Sequence, residues 1–389
     1  MTTPIQHVVA TQTANIHIDK IRITADCTHN PFGRVWYFDA PDLGQVVPAN
    51  GASPTMLQLV EDGGRAQVRS TQIDDNGLAH ALEIHCCPPK VLQKHNLFGH
   101  SVLQDYVYVI LDLVTKFLKI DVDPLDRAAW KAGQVKITEI DLTGNFAIPL
   151  DSLVSIIDAI DENNRIGKNR RSLTWIKLDR GSVERSDFHE LCIYGKAEQL
   201  MAQFYTANKC KQLGPYQTKL VEEAKKGIRA EVKLRSALLK ERDLGFVSRW
   251  RNFDVAALYF ELFETYSVKH AIQQLLTEGE MELLSRAERA AYTLWMNGLS
   301  LEEQGYCRTS VWKYKTAILA RTGIDVSGNR RPEKLPALDL HHVFTPDNVL
   351  PVPEWAIGTP YYFPPTVVEN SPCDTIIGDV PVVLELFDE

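Results

Sequence analysis

The sequence predicts an α+β protein: an antiparallel-rich sheet packed with helices over residues 1–245, an all-helical region over 246–326, and a Pro-rich extended tail over 327–389. Two observations carry this. In the first part, short runs alternating apolar and polar residues recur between longer runs of helical spacing, and strands interleaved with amphipathic helices make an α+β layer structure. From Phe253 onward the period is helical, until prolines break it beyond residue 327.

The first strand is "ANIHIDKIRITA" (14–25), which alternates at period two. Further strands are expected at "RVWYFD", "TMLQLV", "AHALEIHC", "QVKITEIDLTGNF", "SLTWIKL", "FHELCIY" and "IRAEVKLRS". Between them, apolar spacing predicts helices at Leu103–Leu118, Leu150–Ile160 and Ala197–Thr206. The second region reads as helices at "DVAALYFELFETY", "AIQQLL", "ELLSRAERAAYTLWMNG" and "SVWKYKTAILARTG", with no internal repeat.

Composition excludes some classes. The chain has 389 residues, enough for a sizeable core. There is no run of about eighteen apolar residues, and the N-terminus lacks a basic segment followed by an apolar core, so no membrane partner and a cytoplasmic location are expected. Seven cysteines without a regular framework suit reduced thiols. A net charge of −8 gives no global field to recruit nucleic acid. Lys and Arg nevertheless gather in "RIGKNRR" (165–171) and between Lys209 and Arg251, and a local surface decides binding.

"LEIHCCPPKVLQKHNLFGH" (82–100) first suggests a metal site. Cys86 and Cys87 are adjacent, however, so on a strand they face opposite ways and cannot easily chelate one ion. One buried and one outward thiol is the expectation. Carboxylates make a better case. Glu139 and Asp141 lie two apart in "VKITEIDLTG", hence on one strand face, and Glu231 sits between Arg229 and Lys233 in "RAEVKLR". Glu83 lies in "ALEIHC". Carboxylates in apolar strands need cations, and hard oxygen ligands suit Mg2+ or Mn2+; a solvated face with salt bridges is the plainer alternative. Tyr194 ends a strand, next to Gly195 and two residues before Lys196, where a cation or base would make its hydroxyl a nucleophile. A purely structural tyrosine fits the same place.

These segments resemble the gene II replication initiators of filamentous bacteriophages. The specific match is K-V-L-Q-x-H-N-x-F-G at Lys90–Gly99. "ITEIDLTGNF", "LCIYGKAEQ", "RAEVKLRSALLKERDLG" and "TSVWKYKTAILARTGID" follow in the family's order, and the resemblance covers roughly residues 80–325. It implies a rolling-circle initiator: a metal-dependent tyrosine nickase and strand-joining enzyme, with phage origin DNA, double- and single-stranded, as partner and the host replication helicase and polymerase in train. Carried over, it makes Tyr194 the nucleophile and Lys196 its phosphate- or phenolate-stabilising partner, with Asp141, Glu231 and Glu83 as metal candidates. Glu139 stands where relatives can carry a basic residue, and no His-x-His pair is present.

DNA contacts are expected at His95, at the basic loop Lys168, Arg170 and Arg171, and at Arg229, Lys233 and Arg235 on a strand. His95 has a structural alternative, fixing the turn before Gly99. Thr309 or Ser310 would cap a helix presenting Arg308, Trp312, Lys313 and Lys315, compatible with a helix-turn-helix; Trp312 and Tyr314 cannot share its face. The alternatives are a non-catalytic origin-binding regulator of the same fold and a phosphate-handling metal enzyme. Tyr205 and Tyr216 are candidates for a second tyrosine in joining.

Overall fold

A computed structural model describes residues 15–40, 45–148, 152–163, 170–172, 174–178, 188–208, 212–266, 278–322 and 340–366, together with 268, 276 and 326. The described strands are β1 (His17–His29), β2 (Tyr37–Ala40), β3 (Gln45–Pro48), β4 (Thr55–Gln58), β5 (Arg65–Ile73), β6 (Ala79–Cys86), β7 (Lys136–Ala147), β8 (Arg170–Ser172), β9 (Trp175–Leu178), β10 (His189–Gly195) and β11 (Gly227–Arg235). The helices are α1 (Pro88–Gln93), α2 (Leu103–Leu118), α3 (Pro124–Lys131), α4 (Leu153–Asn163), α5 (Lys196–Asn208), α6 (Pro215–Lys225), α7 (Ser236–Glu241), α8 (Val255–Glu264), α9 (Glu278–Leu283), α10 (Arg286–Met296), α11 (Arg308–Thr322) and α12 (Leu340–Val343).

Nine strands form one sheet in the order β4-β5-β6-β1-β7-β11-β10-β9-β8, every neighbour antiparallel. The α+β class is the one expected. Side chains alternate across a sheet, so β7 and β11 send Ile140, Leu142, Phe146, Val232 and Leu234 into the main apolar core. Their intervening positions, Glu139, Asp141, Glu231 and Lys233, share the opposite, polar face. Helix α2 adds Tyr106, Val107, Ile110, Leu111 and Val114 to the core.

Several elements differ from expectation. β5 is not among the expected strands: its inward residues are Ala66, Val68 and Ser70, all 0% exposed, and small or polar inward residues blur the alternation. The single strand expected over 172–178 is two paired strands, β8 and β9. Cys86 and Cys87 are both buried, because Cys87 has left the strand to become the N-cap of α1. "AIQQLL" lies outside the described residues apart from Leu276.

The sheet's core also takes in residues beyond 245. Val255, Leu258, Tyr259, Leu262 and Phe263 of α8 join the sheet's core, and the Tyr259 hydroxyl donates to the Ala230 carbonyl. A separate cluster holds Leu284, Ala291, Tyr292, Trp295, Val311 and Ile318 from the α9–α11 region. In the tail, residues 340–366 return to the sheet: Leu340, Val343 and Phe344 enter the main core, and the Leu350 N–H donates to the Asn145 carbonyl. Among the described residues, no helix is long and apolar enough to cross a membrane, and the described cysteines Cys27, Cys86, Cys87, Cys192 and Cys307 are free thiols.

A candidate metal centre beside a tyrosine

β1 changes phase at its N-terminal end. The inward isoleucines are Ile16, just before the strand, and Ile18, then Ile21 and Ile23, and its register against β7 shifts between Ile18 and Lys20. Such a bulge re-aims side chains, and here it brings Asp19 onto the polar side. Asp141 lies opposite Lys20 and Lys233, while Glu231 lies opposite Thr143. One carboxylate oxygen from each of Asp19, Asp141 and Glu231 falls within 4.8 Å of the others, a group able to hold a metal ion.

The three carboxylates live in unequal environments. Burial opposes ionisation of Asp19, but the Arg229 and Lys196 cations and the Asn96 amide more than offset it, holding its carboxyl well below the usual range. Asn96 Nδ2 donates to Asp19 Oδ1 at 2.6 Å, and the Cys87 thiol donates to the same oxygen at 3.2 Å. Asp141 has the opposite fate. Burial pushes it up to about 8, against Lys233 and Lys20, whose ammonium groups stay 3.7 and 4.0 Å away. Neither of its oxygens has a hydrogen-bond partner among the described residues. A buried carboxylate without hydrogen bonds is costly unless a cation or proton meets it. The three-carboxylate donor set and these orphaned oxygens fit a hard divalent ion.

Arg229 ties the cluster together. Its guanidinium is 0% exposed; Nε donates to Glu231 Oε1 at 2.9 Å, Nη2 approaches Asp19 Oδ1 at 3.2 Å as an off-axis ion pair, and Nη1 donates to the Asn96 carbonyl at 2.6 Å. It has no surface to offer a DNA phosphate, so its expected DNA contact is replaced by a structural role between carboxylates.

Tyr194 ends β10 with its hydroxyl donating to Glu231 Oε1 at 2.5 Å. Burial, then the Glu231 charge, raise its phenol well above the ordinary value, so it rests protonated. At Gly195, which follows, a Cβ would meet Leu153 Cδ2 of α4 at 2.4 Å, so a larger residue would displace that side chain. Lys196, the first residue of α5, is buried; its ammonium lies 5.7 Å from the Tyr194 ring centroid and donates to Gln199 Oε1 at 2.5 Å. Burial, then Arg229, pull it well below an ordinary lysine.

The Lys90–Gly99 segment acts as a clamp. Helix α1 ends at Lys94 with φ 68°, and the backbone beyond is held from several sides. Gln93 Nε2 donates to the Phe98 carbonyl at 2.6 Å, and Asn145 Nδ2 to the Leu97 carbonyl at 2.6 Å. His95 is 0% exposed: Nδ1 accepts from the Leu97 N–H at 3.1 Å, so the neutral ring donates from Nε2 to the Tyr361 carbonyl at 2.7 Å. Burial lowers its pKa to about 3. His95 therefore fixes the turn and is not placed to touch DNA.

Other expected site residues stand apart. Glu83 shares the polar face but pairs with Arg69 at 2.8 Å and Arg22 at 3.5 Å. It lies opposite Thr24 where Asp141 lies opposite Lys20, a separation along β1 of roughly 13 Å. It is not a ligand of this cluster. Lys233 is partly exposed and faces Asp141 and Glu139. Arg235 pairs with Glu139 and Glu190. Arg170 and Arg171 belong to the edge strand β8, and Lys168 lies outside the described residues. Arg308 and Lys313 are exposed on α11, Trp312 is 68% exposed, and Tyr314 packs inward on the α9–α11 cluster. That helix starts at Arg308, earlier than the expected caps.

Two site residues escape a reading of the sequence. Asp19 is hidden inside an alternating strand, although the slip from Ile16/Ile18 to Ile21/Ile23 marks the bulge that turns it to the polar side. His17, 0% exposed with neither ring nitrogen partnered among the described residues, lies in the field of Arg229, Asp19 and Lys196. Burial first, and then Arg229, lower it to about 3.

No solved structure matches the chain. A gene II-type replication-associated protein of Enterobacteria phage I2-2 is 22% identical over 315 residues, covering 80% of this chain and 88% of that protein. The family described as the N-terminal part of the gene II replication-associated protein matches residues 59–253, a span that holds α1, β7, β10 and β11 with Asp141, Tyr194, Arg229 and Glu231. On that match the chain belongs to the family of phage gene II replication-associated proteins.

Proposed function

We propose that this protein initiates rolling-circle replication of a phage genome by nicking the plus strand at the origin through a phosphotyrosine at Tyr194, and later rejoins the displaced strand. The observation that carries the reading is the Tyr194 hydroxyl donating to Glu231 beside Asp19 and Asp141. Asp19, Asp141 and Glu231 would hold Mg2+ or Mn2+. When bound, that ion supplies polarisation of the scissile phosphate and stabilises the charge developing on it.

The chain's own residues account for the proton traffic. Glu231 takes the phenol proton as the Tyr194 oxygen bonds to phosphorus and the bond to the 3′ oxygen breaks. The proton then passes to that oxygen, giving a free 3′-OH and a 5′-phosphotyrosyl chain. Arg229 holds Glu231 aimed at the tyrosine through its Nε. Rejoining reverses the step: the 3′-OH attacks the phosphotyrosine and the tyrosine recovers its proton. The phosphodiester energy stays in the covalent link, so no ATP is required.

On this reading the substrate is phage origin DNA, double-stranded before the nick and single-stranded afterwards, and the host helicase opens the duplex while the polymerase extends the 3′ end. Partly exposed Lys233 on the sheet, Arg170 and Arg171 on β8, and Arg308 and Lys313 on α11 are the proposed phosphate contacts. Residues 1–245 would make the nicking unit, to which α8 is joined by its packing, and the α9–α11 region the origin-recognition unit. The test is a supercoiled plasmid carrying the cognate origin, with Mn2+ or Mg2+. Relaxation with a covalent protein–DNA adduct, both absent in Tyr194→Phe, supports the reading. A mobility shift without a nick points instead to a non-catalytic origin-binding regulator.

A further inference from the structure

The segment 340–366 builds a surface that the nicking chemistry does not use. Tyr216, at the start of α6, stacks on Tyr361 with ring centroids 4.4 Å apart and planes 25° from parallel, and stands 6.3 Å from Trp355. Lys219 places its ammonium 5.8 Å from the Tyr216 ring and 5.5 Å from the Trp355 ring. Tyr216 is 41% exposed, and Ile357, two residues beyond Trp355, is 61% exposed. Beneath them Leu97, Phe98, Leu220 and Ala356 form a small apolar cluster, with Phe98 edge-on to Trp355 at 6.1 Å. Tyr216 thus stands exposed on a packed support, with Trp355 and Tyr361 half-buried beside it.

This surface is wired to the carboxylate cluster. Tyr361 accepts the His95 hydrogen bond, and the next residue, Asn96, holds Asp19. Rigid aromatic faces topped by an ammonium are the composition that takes unpaired bases: the rings stack with the base and the cation meets its phosphate. A duplex hides its base faces, so only a single strand satisfies both, and on the reading above that strand is DNA.

We propose that Tyr216, Trp355 and Tyr361, with Lys219, form a stacking site for unpaired nucleobases of single-stranded DNA beside the nicking centre. The proposal rests on the DNA reading above and deepens it. It assigns the 340–366 segment to holding the opened strand.

The experiment measures the full chain's affinity for a labelled oligothymidylate and for a duplex by fluorescence anisotropy, with a parallel plasmid-nicking assay of the wild type. Tyr216→Ala is expected to weaken oligothymidylate binding by about 5- to 150-fold while leaving duplex affinity unchanged. Tyr216→Phe keeps the ring and retains the affinity. Lys219→Gln should lower the salt slope of single-strand binding by about 0.7. Trp355 is more buried, so the exposed Tyr216 variants, checked for an unaltered thermal transition, decide the matter. Unchanged oligothymidylate affinity in Tyr216→Ala, an equal loss on duplex, or no oligothymidylate binding by the wild type overturns the stacking site. If the wild type nicks the plasmid in any of those cases, the nickase reading survives; if Tyr216-dependent binding holds but no nick forms, only the nickase reading fails.

Discussion

Asp141 and Arg229 sit within the same carboxylate cluster, and replacing either has an opposite consequence. Both Asp141 oxygens are enclosed without a hydrogen bond among the described residues, so the metal-free fold carries an electrostatic burden at this position. Asp141→Asn should raise the metal-free protein's stability by on the order of 1–3 kcal/mol while removing the stabilisation that Mn2+ gives the wild type. Calorimetry with chelator and then with Mn2+ reads both effects. Arg229, by contrast, neutralises Asp19 and Glu231, and its removal leaves buried charges unpaired. The histidines set the acid limit. His17, His95 and His100 are held neutral at about 3 in the fold, by burial first in each case, against an ordinary 6.5. Below 6.5 the unfolded chain binds protons that the fold refuses, so stability falls as pH drops from about 6.5 towards 3. From pH 7 to pH 5 the loss is about 2 kcal/mol per histidine. Asp141, raised to about 8, works in the other direction between its ordinary value and 8. Asp105 and Asp126, raised by burial, act with Asp141, while His29 and His85, lowered by burial, act with the three histidines; the expected balance is a net loss, read as a lower urea midpoint at pH 5 than at pH 7.

At the scale of elements, the 340–366 segment holds two parts of the molecule. Phe344 packs in the main core against Phe146 at 5.1 Å and Phe263 at 5.0 Å, and Trp355 and Tyr361 cover the Lys90–Gly99 clamp. Phe344→Ala should cost about 3–5 kcal/mol, measured by denaturant unfolding of the full chain. A sequence reading based on period does not reveal this, because an irregular segment carries no period; its aromatics are the only sign that it has something to cover. The same limit explains β5, whose Ala66, Val68 and Ser70 make a weak inward stripe. Strands with branched inward residues, β1, β6, β7 and β11, are legible, and their register carries the polar face with them. Spacing alone therefore places Glu139 with Asp141, and Glu231 with Arg229 and Lys233, on one face of their own strands. Their convergence with Asp19 depends on a bulge and on pairing between distant strands, which spacing along one strand does not contain. His95 is legible as a member of the most specific segment, whereas its partner, the Tyr361 carbonyl, lies 266 residues away.

For the whole molecule, a net charge of −8 means that the proposed DNA binding must come from local surfaces and will be sensitive to salt. Exposed Arg308 and Lys313 on α11 are the test of origin recognition: replacing both with Gln should reduce the salt slope of duplex-origin binding by about 1.8, at roughly 0.9 per lost phosphate contact, measured by anisotropy over a salt series. Such a change would leave the covalent step to the sheet. The central claim is that Tyr194, activated by Glu231 within the Asp19–Asp141–Glu231 cluster, becomes covalently linked to DNA. The most direct measurement is mass spectrometry of the peptide–oligonucleotide adduct trapped after nicking of origin DNA with Mn2+. The account predicts a 5′-phosphotyrosyl link on Tyr194, absent in Tyr194→Phe; a nick with the adduct on another residue, or with none, would contradict it.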